Sequence, residues 1–343
     1  MITIDENENK IDLDVALASD DGFAMQMGIC IMSILETNHD YFERINIHIL
    51  NNGISNENIE KLISLKNGYK KVNYFFYDVD FIKSVIPRSS RFNSAYHLGF
   101  STYSRLFISK LVDNELSRIL YLDSDVMVND NIFEFYNRDF KNKYCMGVVD
   151  ISPYYVQKKW DMDDNTLFVN AGVLLINLDK WREENIDDKF IKTLEEFPST
   201  NLVNDQTLIN VVFYKKMIIS TDLKYNVALN IFEIKYDKFS KLKYLPSEEF
   251  SKNLALLFEE AINNPSIIHF TGGFWFRPWE KKSKHPFKNK WLHYKDISPW
   301  SEVPLKKYGF MATMKKKIFS YIFVNFPSSI VLLIYKLIFY IRY

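Results

Sequence analysis

Over its first eighty residues the chain alternates between short apolar runs and stretches with apolar residues at helical spacing, and this alternation constrains the fold more than any other feature. Leu13-Asp14-Val15-Ala16-Leu17-Ala18 reads as a buried strand, and Phe23 to Glu36 carries the period of a helix. Ile45 to Leu50 reads as a second strand ending at Asn51-Asn52-Gly53, Asn56 to Lys66 as a helix capped by Ser55, and Val72 to Tyr77 as a third strand. Strand, helix, strand in this order predicts a mainly parallel sheet with helices on both faces.

The same grammar continues. Ser101 to Leu111 is expected to be helical and leads into a strand over 118–123; two more apolar runs follow at Tyr144 to Val149 and Val169 to Ile176, with helices over Asp187 to Phe197 and Asp205 to Phe213. There is no internal repeat and no low-complexity linker, so one α/β domain of the nucleotide-binding, Rossmann-like kind is expected over residues 12–280, with residues 281–343 as a helical carboxy-terminal tail. A 343-residue chain that is 47% hydrophobic can bury a large core. Lys and Arg number 43, as do Asp and Glu, so the overall charge gives no support for nucleic acid as a partner. Cys30 and Cys145 lie in apolar runs and read as small buried hydrophobes rather than as a disulfide framework. The amino-terminal residues carry no basic, apolar leader, so a cytoplasmic location is expected.

The tail has its own character. Residues 318–335, between Lys317 and Lys336, carry no charge, which is at the lower limit for crossing a bilayer, and Asn325, Pro327 and the two serines after it interrupt the run. A helix lying in the membrane interface, with Lys315-Lys316-Lys317, Lys336 and Arg342 near anionic head groups, fits that pattern and would place the protein peripherally on the inner face of the cell membrane. The plain alternative is a helix packed on the core or on another subunit.

Chemistry concentrates where Ile119-Leu120-Tyr121-Leu122 runs into Asp123-Ser124-Asp125. Side chains at i and i+2 of an extended chain point the same way, so the two carboxylates can converge beyond the carboxyl end of a strand, where open α/β sheets bind ligands. Paired carboxylates with room for waters and phosphates suit Mg²⁺ or Mn²⁺. An acidic turn after a buried strand is the competing account.

Further segments stand beside this pair: Ala18-Ser19-Asp20-Asp21-Gly22-Phe23 in the first strand-to-helix loop, Ser101-Thr102-Tyr103-Ser104-Arg105-Leu106, the run Phe168 to Leu178 followed by Asp179-Lys180-Trp181-Arg182, Asn204-Asp205-Gln206, and Ile268-His269-Phe270-Thr271-Gly272-Gly273. Over residues 13 to 280 these resemble, in the same order, the family 8 retaining glycosyltransferases, the group that holds lipopolysaccharide galactosyl- and glucosyltransferases and glycogenin. The resemblance implies a GT-A fold and transfer of galactose or glucose from a UDP-sugar to a saccharide or glycolipid acceptor. By the same resemblance Asp123, Asp125 and His269 would hold Mn²⁺, or Mg²⁺, against the donor diphosphate; an imidazole nitrogen tilts the preference to Mn²⁺.

The other roles come from the same likeness. Ala18 and Asp20 would meet uracil and ribose beside the ring of Phe23, although family members often carry Asn-Tyr where this chain has Gly22-Phe23. Arg105 would contact donor sugar and phosphate, and Ser124 and Gly272 would complete the nucleotide site. Asn170, Asp205 and Gln206 would stand near the reacting carbon, with Gln206 at the position usually discussed for stabilising it. Where the family often reads Gly-x-x-Lys-Pro-Trp, this chain reads Gly272-Gly273-Phe274-Trp275-Phe276-Arg277-Pro278-Trp279, which makes Arg277 the candidate phosphate clamp and the aromatic residues a candidate acceptor platform.

Two other readings compete. An apolar strand followed by Asp-x-Asp-x-Val also resembles haloacid-dehalogenase-type phosphatases, with Asp123 as nucleophile and Asp125 as acid, but that fold normally begins with this strand. A non-catalytic sugar-nucleotide-binding module is the third, and the intact set Asp123, Asp125, Asp205, Gln206 and His269 speaks against it.

Overall fold

The computed structural model of the chain describes residues 10–86, 100–150, 162–163, 166–196, 205–228, 231–232, 236, 248–271, 276–331 and 333–334. Ten strands occur among them: β1 (Leu13–Ser19), β2 (Ile45–Asn51), β3 (Val72–Asp78), β4 (Arg118–Asp123), β5 (Val126–Val128), β6 (Cys145–Val149), β7 (Val169–Asn177), β8 (Ile218–Ser220), β9 (Val227–Ala228) and β10 (Ile267–His269). Seven form one sheet in the order β3-β2-β1-β4-β7-β6-β8, in which β7 alone runs against its neighbours. The sheet is therefore mixed and mainly parallel, as the alternation predicts.

The strand order places the site. From β1 the chain steps outward to β2 and β3, then returns to add β4 on the other side of β1, so the order reverses between β1 and β4 and a crevice opens at their carboxyl ends. Register puts Ala18 beside Asp123 across that seam. Just beyond it the chain turns into β5, which belongs to a second, three-stranded sheet in the order β5-β10-β9. There β10 runs antiparallel to β5 with His269 opposite Val126, so a residue more than 140 positions away arrives next to Asp125.

The strands alternate between two cores, as a period of two requires. Val15, Leu17, Leu120, Leu122, Val173 and Leu175 face the helix Ala24–Asn38, which is buried on nearly every side. Ala16, Ala18, Ile119, Tyr121, Leu174 and Ile176 face the other way, onto helices Leu178–Glu183, Ile186–Glu196 and Asp205–Val212. Local signals set helix starts: Ser55 accepts from the Asn58 amide at 3.4 Å and Asn177 from that of Lys180 at 3.1 Å. The stretch expected as one helix over Ser101 to Leu111 is instead helix Ser101–Ser104, a 3-10 turn Arg105–Phe107 and helix Ile108–Leu111. The tightening falls at Arg105, whose Nε takes the Thr102 carbonyl at 2.9 Å.

Packing does not stop at residue 280, where the sequence suggests the tail begins. Trp291, Tyr294 and Trp300 join the same core as the central helix. Trp300 lies flat over Gly28, where a Cβ would come within 2.3 Å of its ring, and its indole N–H donates to Asn58 Oδ1 at 3.1 Å. A helix runs Phe310–Asn325, beginning earlier than the uncharged run suggests, and ends because Pro327 forces extended backbone at Phe326 (ψ 153°). One side of it rests on the body through Thr313 and Phe323, while Phe310, Met311, Ile318 and Tyr321 are exposed. Among the described residues no helix is long and apolar enough to cross a membrane.

The Gly28–Trp300 contact makes a double-mutant prediction. Trp300→Ala should cost about 3–5 kcal/mol in urea unfolding. Gly28→Ala should destabilise the parent by its clash, yet be neutral or stabilising by up to about 1 kcal/mol in the Trp300→Ala background, because alanine is the better helix former. Equal effects of Gly28→Ala in both backgrounds would show that the ring does not cover that position.

Candidate functional site

Asp123, Asp125 and His269 meet at the mouth of the crevice. One ligand atom from each lies within 4.8 Å of the other two. His269 Nε2 is 3.1 Å from Asp125 Oδ1 and 3.6 Å from Asp123 Oδ2. Oxygen and nitrogen ligands about 2.1 Å from one ion stand about 3 Å apart when at right angles, so the spacing suits a six-coordinate divalent cation with its remaining positions open. Gly172 makes the room: a Cβ there would lie 2.2 Å from His269 Cε1 and 2.7 Å from Asp123 Oδ2. Its place in the run Phe168 to Leu178 thus has a steric cause.

Electrostatics hold the three side chains together. Burial by itself would raise the Asp125 carboxyl, but His269 and then Arg277 outweigh it and bring it down to about 2. Burial pulls the His269 imidazole down, and Asp125 and Asp123 more than compensate, so its affinity for a proton is raised.

The orientation of His269 is set at a distance. The carboxylate of Asp150 can only accept, so Gln206 donates to it through Nε2 at 2.9 Å and Asn170 through Nδ2 at 3.4 Å. Asn170 Oδ1 must then accept, and does so from the Gly172 amide at 3.0 Å and from Asn226 Nδ2 at 3.1 Å. That leaves Asn226 Oδ1 facing His269 Nδ1 at 3.1 Å as an acceptor, which requires the Nδ1 proton and turns Nε2 to the carboxylates. A carboxylate three hydrogen-bonded side chains away thereby selects the tautomer a metal ligand needs. Gln206 Oε1 accepts from the Ala171 amide at 3.1 Å, so its side chain is clamped at both ends.

Arg105 lies behind the cluster, 3% exposed. Its NH2 contacts Asp123 Oδ1 at 2.6 Å, its Nε lies 3.0 Å from Asp205 Oδ2, its NH1 donates to the Ala171 carbonyl at 2.6 Å, and its plane rests 4.4 Å from the Tyr121 ring centre. Burial would lower its basicity, but Asp123 and Asp205 reverse that, so the guanidinium stays charged. Burial, with Asp123 nearby, raises the Asp205 carboxyl against the pull of Arg105.

The remaining residues occupy the rim. Ser124 is buried and donates to the Ala18 carbonyl at 2.8 Å, tying the aspartate turn to β1. Asp20 caps the turn after β1, one carboxylate oxygen accepting from the Phe23 amide at 3.1 Å. Phe23 meets Trp279 edge to face at 5.9 Å, and Arg277 stacks over that indole at 5.5 Å with its NH2 3.8 Å from Asp125 Oδ2. Arg277 Nε is buried with no hydrogen-bond partner among the described residues, an orphan donor that an anion at this mouth would satisfy. Gly272 and the aromatic residues Phe274 and Trp275 lie outside the described residues.

Two members of the site carry no motif. Asp150 ends the apolar strand β6 much as Asp123 ends β4, and that parallel is the signal by which it could be found. Asn226 follows a single 3-10 turn with no pattern around it, so only the fold reveals it.

Comparisons with known proteins show the family and the fold. Residues 14–283 match the sequence profile of Glycosyl transferase family 8. General stress protein A of Bacillus subtilis is 25% identical over 296 residues, covering 85% of this chain and 96% of that protein. Lipopolysaccharide 1,2-glucosyltransferase of Escherichia coli is 25% identical over 311 residues, covering 89% and 84%. A solved structure of the galactosyltransferase LgtC in complex with donor and acceptor sugar analogues is similar in fold, with a TM-score of 0.66 at 21% identity over 88% of this chain and 100% of that one. The phosphatase alternative needs the aspartate strand to begin the fold, whereas three strands precede it here. With a GT-A fold and a profile match that spans the aspartate pair and His269 alike, the chain belongs to glycosyl transferase family 8.

Proposed function

We propose that this glycosyltransferase moves galactose or glucose from a UDP-sugar to a saccharide acceptor, with Mn²⁺ as cofactor and with retention of anomeric configuration. The convergence of Asp123, Asp125 and His269 beside an unpartnered Arg277 Nε carries the reading. A divalent ion held there supplies Lewis-acid neutralisation of the departing diphosphate. Arg277, beside Asp125, would add positive charge where negative charge develops on the leaving group. Ala18, Asp20 and Phe23 line the end of β1 and would receive the nucleoside; Asp205 and Asn170, oriented by Arg105 and by Asn226, would read the sugar hydroxyls.

Retention follows best from attack on the face that UDP leaves. Gln206 is an amide, a poor nucleophile, and both its ends are already engaged by Ala171 and Asp150. A clamped amide favours dipolar stabilisation of the oxocarbenium-like centre over formation of a covalent intermediate. The departing phosphate then takes the acceptor proton.

The acceptor is proposed to be displayed on a membrane, as a lipopolysaccharide core or another lipid-linked glycan. Support comes from the exposed Phe310, Met311, Ile318 and Tyr321 on a helix that also carries Lys315 and Lys317, a pairing suited to an anionic interface.

Four measurements check these statements. UDP release from UDP-galactose or UDP-glucose should require Mn²⁺ and fall by about two orders of magnitude or more in Asp125→Ala; the product isolated from the parent should carry the donor's anomeric configuration by proton NMR, and an inverted product would refute the front-face mechanism. Mn²⁺-dependent UDP binding without release for any acceptor would instead identify a non-catalytic module. Asn226→Leu should weaken Mn²⁺ binding, read by paramagnetic resonance of free ion, by about 10–100-fold while leaving the melting temperature close to that of the parent; unchanged affinity would remove Asn226 from the site. Met311→Glu with Ile318→Glu should reduce co-sedimentation with phosphatidylglycerol vesicles, a better test than tail deletion, which would strip Lys316 from the buried Glu280 carboxylate.

A further inference from the structure

We propose a second binding site, for the phosphate group of a phosphorylated saccharide or lipid head group, in the cavity behind Arg277. This rests on the transferase reading for its purpose, since it would seat the anionic part of the acceptor, but not for its geometry. The cavity holds about 330 Å³ and is lined by Phe276, Glu280, Lys281, Lys282, Lys306, Lys307, Tyr308 and Thr313. That is the lower end of the size range of small-molecule sites and enough for a hexose phosphate.

Its charge is one-sided. Lys281, Lys282, Lys306 and Lys307 are exposed, and none is in an ion pair among the described residues. The carboxylate in the wall does not oppose an anion, because Glu280 is 1% exposed and already answered: Lys316 Nζ reaches its two oxygens at 2.9 and 2.8 Å, and the Tyr308 hydroxyl donates to it at 2.8 Å. In a chain whose charges balance overall, four ammonium groups without an ion-pair partner among the described residues, gathered around one concavity, focus a positive potential there. The aromatic members suit a sugar or glycerol body under the phosphate. Lys316 lies 5.2 Å from the Phe276 ring centre and 4.6 Å from that of Tyr308, so both rings pack against one half-buried cation.

The position relative to the metal cluster gives the cavity a role. Phe276 lines it, whereas the next residue, Arg277, reaches Asp125. Glu280 and Lys306 lock the two segments through a parallel bridge, with the Lys306 amide on the Trp279 carbonyl at 2.8 Å. Thr313 brings the helix Phe310–Asn325, which carries exposed apolar residues, into the wall of the cavity. A molecule with a phosphate and a saccharide would thus bridge the donor site and the surface proposed to face lipid.

The test uses the full chain with its donor site filled by UDP and Mn²⁺, so that phosphate cannot bind there. Isothermal titration with glucose 6-phosphate at low salt should show binding, none should be seen with glucose, and the triple variant Lys281→Gln, Lys306→Gln, Lys307→Gln should weaken it at least tenfold. Lys141→Gln, Lys192→Gln, Lys215→Gln removes the same charge elsewhere and should leave binding within twofold. A parallel arm measures sedimentation with phosphatidylglycerol and with phosphatidylcholine vesicles. Loss in the titration arm assigns the site to a saccharide phosphate, and loss confined to the phosphatidylglycerol arm assigns it to a lipid head group. Equal loss in both triples, or no loss in either arm, overturns the proposal. Failure of the transferase reading would appear elsewhere, as absent UDP release from any UDP-sugar.

Discussion

A buried guanidinium organises this molecule. Arg105 is removed from water, and a charge so placed survives only if opposite charges and carbonyls surround it. It finds them in Asp123 at the end of β4, Asp205 at the start of helix Asp205–Val212 and the Ala171 carbonyl in β7. Three elements distant in sequence are therefore pinned to one point. Removing either side of such a buried pair typically costs about 3–5 kcal/mol, because the remaining charge is left without an answer. Stability and chemistry are coupled here: the contact that steadies the fold fixes one oxygen of Asp123 and leaves the other turned to His269.

On the far side of the cluster the logic is polar rather than charged. From Asp150 through Asn170 and Asn226 to His269, each side-chain amide has one possible orientation once the carboxylate is placed. Gln206 hangs from the same carboxylate. The group proposed to stand near the reacting carbon and the group proposed to bind the cation thus share an anchor, so a shift in one is transmitted to the other. Gly172 sets the closeness of the arrangement, since its Cβ-free backbone is what lets β7 pass against the imidazole.

Much of this is legible in the sequence, for identifiable reasons. Strands β1 to β4 and the first two helices between them are announced by periodicity and by Ser55 as a cap, because local interactions decide them. Asp123, Asp125, Arg105 and His269 are found because each belongs to an ordered motif, and the fold does bring all four together. What escapes notice depends on contacts across the chain. The 3-10 turn at Arg105 exists because a buried side chain takes a carbonyl, which no periodicity encodes. Asn226 is chosen by the imidazole opposite it. Trp291, Tyr294 and Trp300 look like part of a tail until Gly28 is seen to leave a space for an indole.

The end of the chain gains a different meaning from the same contact logic. A run of uncharged residues after Lys317 suggests a segment separate from the body, yet Lys316 is held by the almost fully buried Glu280, only three residues beyond Arg277. The buried Glu280 carboxylate has Lys316 as its ion-pair partner, so the helix Phe310–Asn325 could not swing free without breaking that pair. That helix is joined to Asp125 by a short path of Lys316, Glu280 and Arg277, in which every link is a side-chain contact or a few residues of backbone.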